Sequence, residues 1–172
     1  NRGFSQRTGA ARFASSACLF PAAGRCDTIK GMDEINRFKL KNEKETEEFG
    51  RMLAAELEAG DVIALTGDLG AGKTTLAKAI AKGLGVEETL TSPTFTILQE
   101  YESGRLPLYH FDVYRVHSEE ELFEIGMEDY FYRSGVCLIE WADLIEDLLP
   151  ENRRTIKISR GENESERICE IS

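Results

Sequence analysis

Four cysteines stand far apart in these 172 residues, and no Cys-x-x-Cys pair occurs. That spacing gives no zinc site and no disulfide framework, so a reduced compartment is the expected setting. No apolar run approaches the length of about 20 residues that a membrane-spanning helix needs. Positive charge is also scarce. Lys and Arg number 21 against 31 Asp and Glu, a formal net charge of −10. This argues against a broad basic surface for nucleic acid. It suits a soluble cytoplasmic protein that meets partners through local patches and does not engage a membrane. No internal repeat is visible, and no Asn-Lys-x-Asp motif is present to read a guanine base.

The charge is uneven. Arg2, Arg7, Arg12, Arg25 and Lys30 face a single acid, Asp27, within residues 1–31. This segment is rich in Ala, Ser, Gly and Arg, has little apolar periodicity, and reads as disordered. An organelle transit peptide has such a composition. An extension upstream of a start at Met32 is the preferred reading, because Met32 directly precedes the first ordered-looking segment. Residues 32–172 are then expected to form one domain, large enough to bury its own core.

The stretch that organises the chain is Gly67-Asp68-Leu69-Gly70-Ala71-Gly72-Lys73-Thr74-Thr75. It satisfies G-x-x-x-x-G-K-[ST]. Asp61–Thr66 before it reads as a buried strand, and Thr75–Ala81 after it as a helix. In that setting glycines let backbone N–H groups close around phosphate oxygens, and the helix N-terminus adds positive potential. Asp68, Leu69, Gly70, Ala71, Gly72, Lys73, Thr74 and Thr75 are therefore the expected nucleotide-binding residues. Lys73 is expected to reach the β- and γ-phosphates, and the Thr74 hydroxyl to bind Mg²⁺. ATP and Mg²⁺ are the expected ligands.

Around this loop the chain alternates strands and helices. Asn36–Leu40 reads as a strand. Asn42 is a helix cap with Glu45 as its capping-box partner, and Phe49, Met52, Leu53 and Leu57 give the following helix an apolar face. The helix after Lys73 ends near Gly83-Leu84-Gly85. Pro93 forbids a regular central strand in the hydroxyl-rich Thr91–Thr96. Ile97–Tyr101 and Leu106–Val113 read as a hairpin. Ser118 and Glu121 begin a helix whose buried side is Leu122, Phe123 and Ile125, and Asp129–Tyr132 forms a further short helix. Val136–Ile139 is continuously apolar, as in a parallel strand buried on both faces. A helix through Leu144, Ile145 and Leu148 stops before Pro150, and Arg154–Ser159 and Arg167–Ile171 read as late strands. The expected fold is α/β and P-loop NTPase-like: a mostly parallel sheet flanked by helices, with antiparallel strands added.

A phosphate loop needs an acid near Mg²⁺ and a group to position the attacking water. In such sheets the site lies beyond the carboxyl ends of the strands. Glu140 ends Val136–Ile139, and Asp112 ends the strand through Phe111. Both are expected at the metal or the water, and with Lys73 they form the expected catalytic set. Which acid touches the metal stays open at this point. His110 shares a strand face with Asp112 and either bonds a phosphate or partner or packs as a structural histidine. Arg115 is placed to pair the carboxylates or face a phosphate, against a plain surface ion pair. Trp141 adjoins Glu140 and either stacks at the site or packs. Ser92, Thr94 and Thr96 form either a γ-phosphate-sensing loop or ordinary turn chemistry. Base contacts are not legible, although chain order brings Asn42–Thr46 near the loop.

Taken together, Gly67–Thr75, Ser92-Pro93-Thr94-Phe95-Thr96, His110-Phe111-Asp112-Val113-Tyr114-Arg115 and Glu140-Trp141 resemble the TsaE (YjeE) family. The first motif is generic to nucleotide-binding proteins; the other three, in this order, are specific. The match spans roughly residues 36–160. The resemblance implies an ATPase of tRNA threonylcarbamoyladenosine biosynthesis that is weak alone. It implies two larger partners, the threonylcarbamoyl transferase subunit (TsaD type) and its inert paralogue (TsaB type). They modify adenosine 37 of tRNAs reading ANN codons, and tRNA is met indirectly through the complex. Carried over, Lys73 and Thr74 hold phosphate and Mg²⁺, Ser92–Thr96 form a switch-like loop, Asp112 and Glu140 serve metal and water, and Trp141 lies near the site. Two alternatives compete with this reading. A small-molecule kinase is disfavoured because no Arg-rich lid lies between Tyr114 and Pro150. A nucleotide-gated binding module with incidental hydrolysis is partly compatible with the family role.

Overall fold

The computed structural model describes residues 36–172 and the backbone of Asp27–Thr28. The expected disorder of residues 1–31 falls, those two residues aside, outside the described residues. Eight strands form one sheet: β1 (Asp27–Thr28), β2 (Asn36–Leu40), β3 (Val62–Thr66), β4 (Leu98–Tyr101), β5 (Leu108–Asp112), β6 (Val136–Glu140), β7 (Arg154–Arg160) and β8 (Arg167–Ile171). Their order is β1-β2-β8-β7-β3-β6-β5-β4. The four central strands β7, β3, β6 and β5 run parallel, and antiparallel strands extend both sides.

Period-2 alternation divides the core into two layers. Ile63 and Leu65 of β3, with Val136 and Leu138 of β6, face α1 (Glu43–Glu56) and α2 (Lys73–Gly83). Val62, Ala64, Cys137 and Ile139 face the opposite layer, formed by α3 (Glu119–Glu124), α4 (Met127–Tyr130) and a 3-10 helix (Ala142–Leu148). On the first face α1 and α2 approach closely. A Cβ on Gly50 would overlap that of Ala79, and one on Gly83 would lie 2.6 Å from the Ala54 Cβ. No helix among the described residues is long and apolar enough to cross a membrane.

Local expectations hold where side-chain chemistry is decisive. Asn42 Oδ1 accepts the Glu45 amide at 3.0 Å. Glu45 reaches back one residue further than a capping box requires, accepting from Lys41 N at 2.8 Å. Several details differ. The second helix starts at Lys73, two residues early, because Gly72 at φ 109° supplies a left-handed entry that no side chain favours. The second hairpin strand begins at Leu108; Pro107 has no N–H to pair, and its carbonyl accepts from Val136 N at 2.8 Å. The α3 cap is also different. Ser118 makes no capping bond, and Glu121 accepts the His117 amide instead at 3.0 Å. Phe123 does not join the buried side and is 56% exposed, since a helix of this length buries only a narrow stripe around Leu122. The segment before Pro150 is a 3-10 helix broken at Ile145, with Leu144 exposed.

Candidate active site

The parallel centre of the sheet positions the site. β3 runs directly into the phosphate loop, and its neighbour β6 ends at Glu140 while β5 ends at Asp112. Asp112 and Glu140 are register partners, so their side chains share one face at the carboxyl edge of the sheet. Both are almost fully buried. Acids are rarely so buried without partners, and here each has several.

Glu140 accepts from the Thr74 hydroxyl through Oε2 at 2.8 Å. Its Oε1 accepts from His110 Nε2 at 2.8 Å. His110 is wholly buried, and its Nδ1 has no hydrogen-bond partner among the described residues. Of the two sequence readings for His110, the structure therefore shows a packed histidine that orients Glu140. Asp112 is held from the other side. Its Oδ2 accepts from Ser92 Oγ at 2.7 Å and from Thr94 Oγ1 at 2.8 Å, and its Oδ1 accepts from the Tyr114 amide at 3.0 Å.

Lys73 is buried at the first residue of α2. Its Nζ donates to the Gly67 carbonyl at 2.5 Å and the Asp68 carbonyl at 2.9 Å. The same ammonium lies 3.6 Å from the centroid of the Trp141 ring. Burial pulls its pKa below the ordinary lysine value, against the opposing pull of Glu140, Asp143, Asp112 and Asp68. Asp143 was not singled out from the sequence. It follows a strand end by three residues, and only the tight turn at Trp141 brings it near Lys73.

Two bulky residues sit in the left-handed region, Ile97 at φ 65° and Trp141 at φ 62°. Such backbone costs about 1–3 kcal/mol and clusters at functional sites. Trp141 is thereby turned over Lys73 and against Tyr114, with ring centroids 4.6 Å apart. Ile97 closes the Ser92–Thr96 segment; its amide donates to Pro93 O at 2.7 Å and its carbonyl accepts from Asp112 N at 2.9 Å. Between them Phe95 is 84% exposed. Thr96 is exposed, and only its amide is engaged, to Pro93 O at 3.1 Å. Among the described residues Arg115 neither pairs the carboxylates nor forms a surface ion pair. Its guanidinium stacks over the Phe95 ring at 4.6 Å, because the turn after Asp112 carries it outward beside the hydroxyl loop.

Beside the loop a cavity of about 220 Å³ opens between α1, α2 and the β7–β8 hairpin, with Glu43, Thr46, Gly72, Thr75 and Arg167 among its lining residues. The α1 start was placed near the loop by chain order alone. The contribution of Arg167 was missed, since a strand-end arginine carries no local signal of its tertiary neighbour.

A hard divalent cation such as Mg²⁺ suits the donors at the loop: one hydroxyl and one or two carboxylates, with phosphates supplying further oxygens. The described residues hold no cluster of three or more His, Cys, Asp or Glu that would form an all-protein metal cage, and Mg²⁺ at nucleotides needs none.

The family model for threonylcarbamoyl adenosine biosynthesis protein TsaE matches residues 40–169. The tRNA threonylcarbamoyladenosine biosynthesis protein TsaE of Bacillus subtilis (strain 168) is 50% identical over 131 residues, 76% of this chain and 82% of that one. The TsaE protein of Treponema pallidum (strain Nichols) is 46% identical over 118 residues, 69% of this chain and 87% of its own. The crystal structure of Bacillus subtilis YdiB superposes with a TM-score of 0.71 at 42% identity, covering 83% of this chain and 87% of that one. With a family model spanning most of the sheet and relatives at this identity over most of their length, the chain belongs to the TsaE family of tRNA threonylcarbamoyladenosine biosynthesis proteins.

Proposed function

We propose that this protein is a Mg²⁺-dependent ATPase that supports threonylcarbamoylation of adenosine 37 in tRNAs reading ANN codons. It acts with the transferase subunit and its inert paralogue. The observation that carries the ATPase reading is the bond from Thr74 Oγ1 to Glu140 Oε2 at 2.8 Å. It links the hydroxyl that follows the phosphate-loop lysine to the acid at the end of the neighbouring strand, the arrangement by which P-loop NTPases hold a metal.

The residues take distinct parts. Backbone N–H groups of Gly70–Thr74 and the α2 N-terminus face the β- and γ-phosphates. Lys73 leaves the Gly67 and Asp68 carbonyls for phosphate oxygens, a low-cost exchange because the ammonium is already desolvated. Thr74 and Glu140 hold Mg²⁺, which when bound neutralises charge on the phosphate oxygens. His110 keeps the Glu140 carboxylate aimed at Thr74. Asp112, on the opposite side of the pair, orients the water whose oxygen attacks the γ-phosphorus as the bond to the β–γ bridging oxygen breaks. ADP leaves with that oxygen, and the water's proton passes to solvent or phosphate. The base occupies the cavity lined by Glu43 and Thr46.

The Ser92–Ile97 segment couples this chemistry to partners. The Ser92 and Thr94 hydroxyls are bonded to Asp112, the Ile97 backbone is strained, and the Phe95 ring is exposed. A γ-phosphate that competes for Ser92 and Thr94 would release the loop. This favours the gated-module reading as a component of the same function.

The test is a multiple-turnover tRNA modification assay with the purified partner proteins, with and without this chain. The expected result is turnover that needs both the chain and ATP. Unchanged modification on adding the chain would remove the biosynthetic role. Stoichiometric phosphate transfer to a metabolite would favour a kinase.

A further inference from the structure

Arg160 ends β7 and Arg167 opens β8, and the two are direct cross-strand partners. Like charges directly opposite on a sheet destabilise it. Arg160 forms no hydrogen bond or ion pair among the described residues. Arg167 uses only Nη1, which donates to the carbonyls of Glu164 at 2.5 Å and Glu166 at 2.8 Å. The adjacent carboxylate of Glu166 is taken by Lys39 at 2.6 Å. Two guanidinium groups thus lie on neighbouring strands in direct register, neither paired with a carboxylate among the described residues, in a chain whose net charge is −10.

Their position is specific. A Cβ on Gly70 would lie 2.7 Å from Arg160 Nη2, and one on Gly72 would lie 3.2 Å from Arg167 Nε. Both guanidinium groups therefore rest on phosphate-loop glycines. β7 is parallel to β3 and adjoins it on the side away from β6, so the arginines flank the loop opposite Glu140 and Trp141. Arg167 also lines the cavity that opens from the loop.

We propose that Arg160 and Arg167 are a second phosphate-contacting element of the nucleotide site, meeting the nucleotide's phosphates from the β7–β8 side. This rests on the ATP-binding reading above. Guanidinium N–H groups match phosphate oxygens in geometry and charge, and an anion between the two relieves their repulsion. The loop's own ligand is the favoured anion because both groups touch the loop backbone.

The test is calorimetric titration of the full chain with ATP and with adenosine, in Mg²⁺ at fixed ionic strength. Arg160→Gln and Arg167→Gln are each expected to weaken ATP binding about tenfold or more, with adenosine binding unchanged in Arg160→Gln, which lies outside the cavity lining. Arg160→Gln without nucleotide is expected to unfold at the same or a higher temperature, since it relieves the cross-strand repulsion. ATP affinity within about twofold of the parent in both variants overturns the proposal. If those variants then fail in tRNA modification, the pair meets a partner or RNA instead. Parallel losses for ATP and adenosine in Arg160→Gln, or a lower melting temperature for that variant, make the arginines structural supports and also overturn it. A parent chain that binds no ATP defeats the ATPase reading itself, and this proposal with it.

Discussion

On the β6 side of the phosphate loop the side chains are acidic and buried, and on the β7–β8 side they are basic and more exposed. Asp112, Glu140 and His110 are held by short bonds within the protein. Arg160 and Arg167 lie against loop glycines, and neither forms an ion pair with a carboxylate among the described residues. Buried acids with assigned donors keep one geometry before any ligand arrives, as chemistry requires. Less buried, unneutralised cations favour capture of an anion. The same loop is thus flanked by a side suited to a cation and a side suited to phosphate.

The largest test of this contrast is Lys73→Ala. It removes the buried ammonium on the acidic side, leaving Glu140, Asp112 and Asp143 facing phosphate. ATP binding is expected to fall more than about 100-fold, measured by calorimetry. Trp141, the single tryptophan, reports the same event, because Lys73 lies on its ring. Its emission is expected to change when ATP binds the parent chain and to stay constant in the variant.

Next is Glu140→Ala, which separates chemistry from binding. Steady-state hydrolysis is expected to drop about 100-fold or more, while ATP affinity changes by only a few fold. Normal turnover in this variant would take Glu140 out of the mechanism and leave the acidic side without its main role. A smaller loss is expected for the pair Ser92→Ala and Thr94→Ala, which deprives Asp112 of two hydroxyl donors. About a tenfold lower kcat, with ATP affinity retained, would support a switch role; unchanged kcat and unchanged partner binding would reduce the loop to turn chemistry.

The smallest effect concerns two thiols beneath the two flanks. Burial raises Cys137 and Cys169 each to about 12. Only the thiolate is nucleophilic, so neither is expected to react with iodoacetamide at pH 8 until the chain unfolds, as read by mass spectrometry. Cys169 lines the cavity beside Arg167. Selective labelling of Cys169 in the native chain would show that the basic flank opens in solution while the acidic flank stays closed.

Much of this was legible in the residues. The glycine spacing before Lys73, the unbroken apolar run ending in Glu140, and the hydroxyls around Pro93 each carry a local physical signal. They gave the α/β order and brought together Thr74, Glu140, Asp112 and the Ser92–Thr94 loop. The stacking of Arg115 on Phe95 was not legible, because a side chain's direction beyond a strand end depends on the turn, not on period-2 alternation. Phe123 was misjudged because the apolar pattern of a six-residue helix does not fix which face is covered.

By itself the sequence determined the phosphate loop, the strand-end acids and the family, since each rests on residue types at short, fixed spacing. Only the tertiary structure decided how the two acids divide: Glu140 to Thr74 and His110, Asp112 to the hydroxyl loop. It also decided that Arg160 and Arg167 come to rest on that loop. These are long-range contacts set by strand order and register, and nothing in a local stretch of chain encodes which distant side chain it will meet.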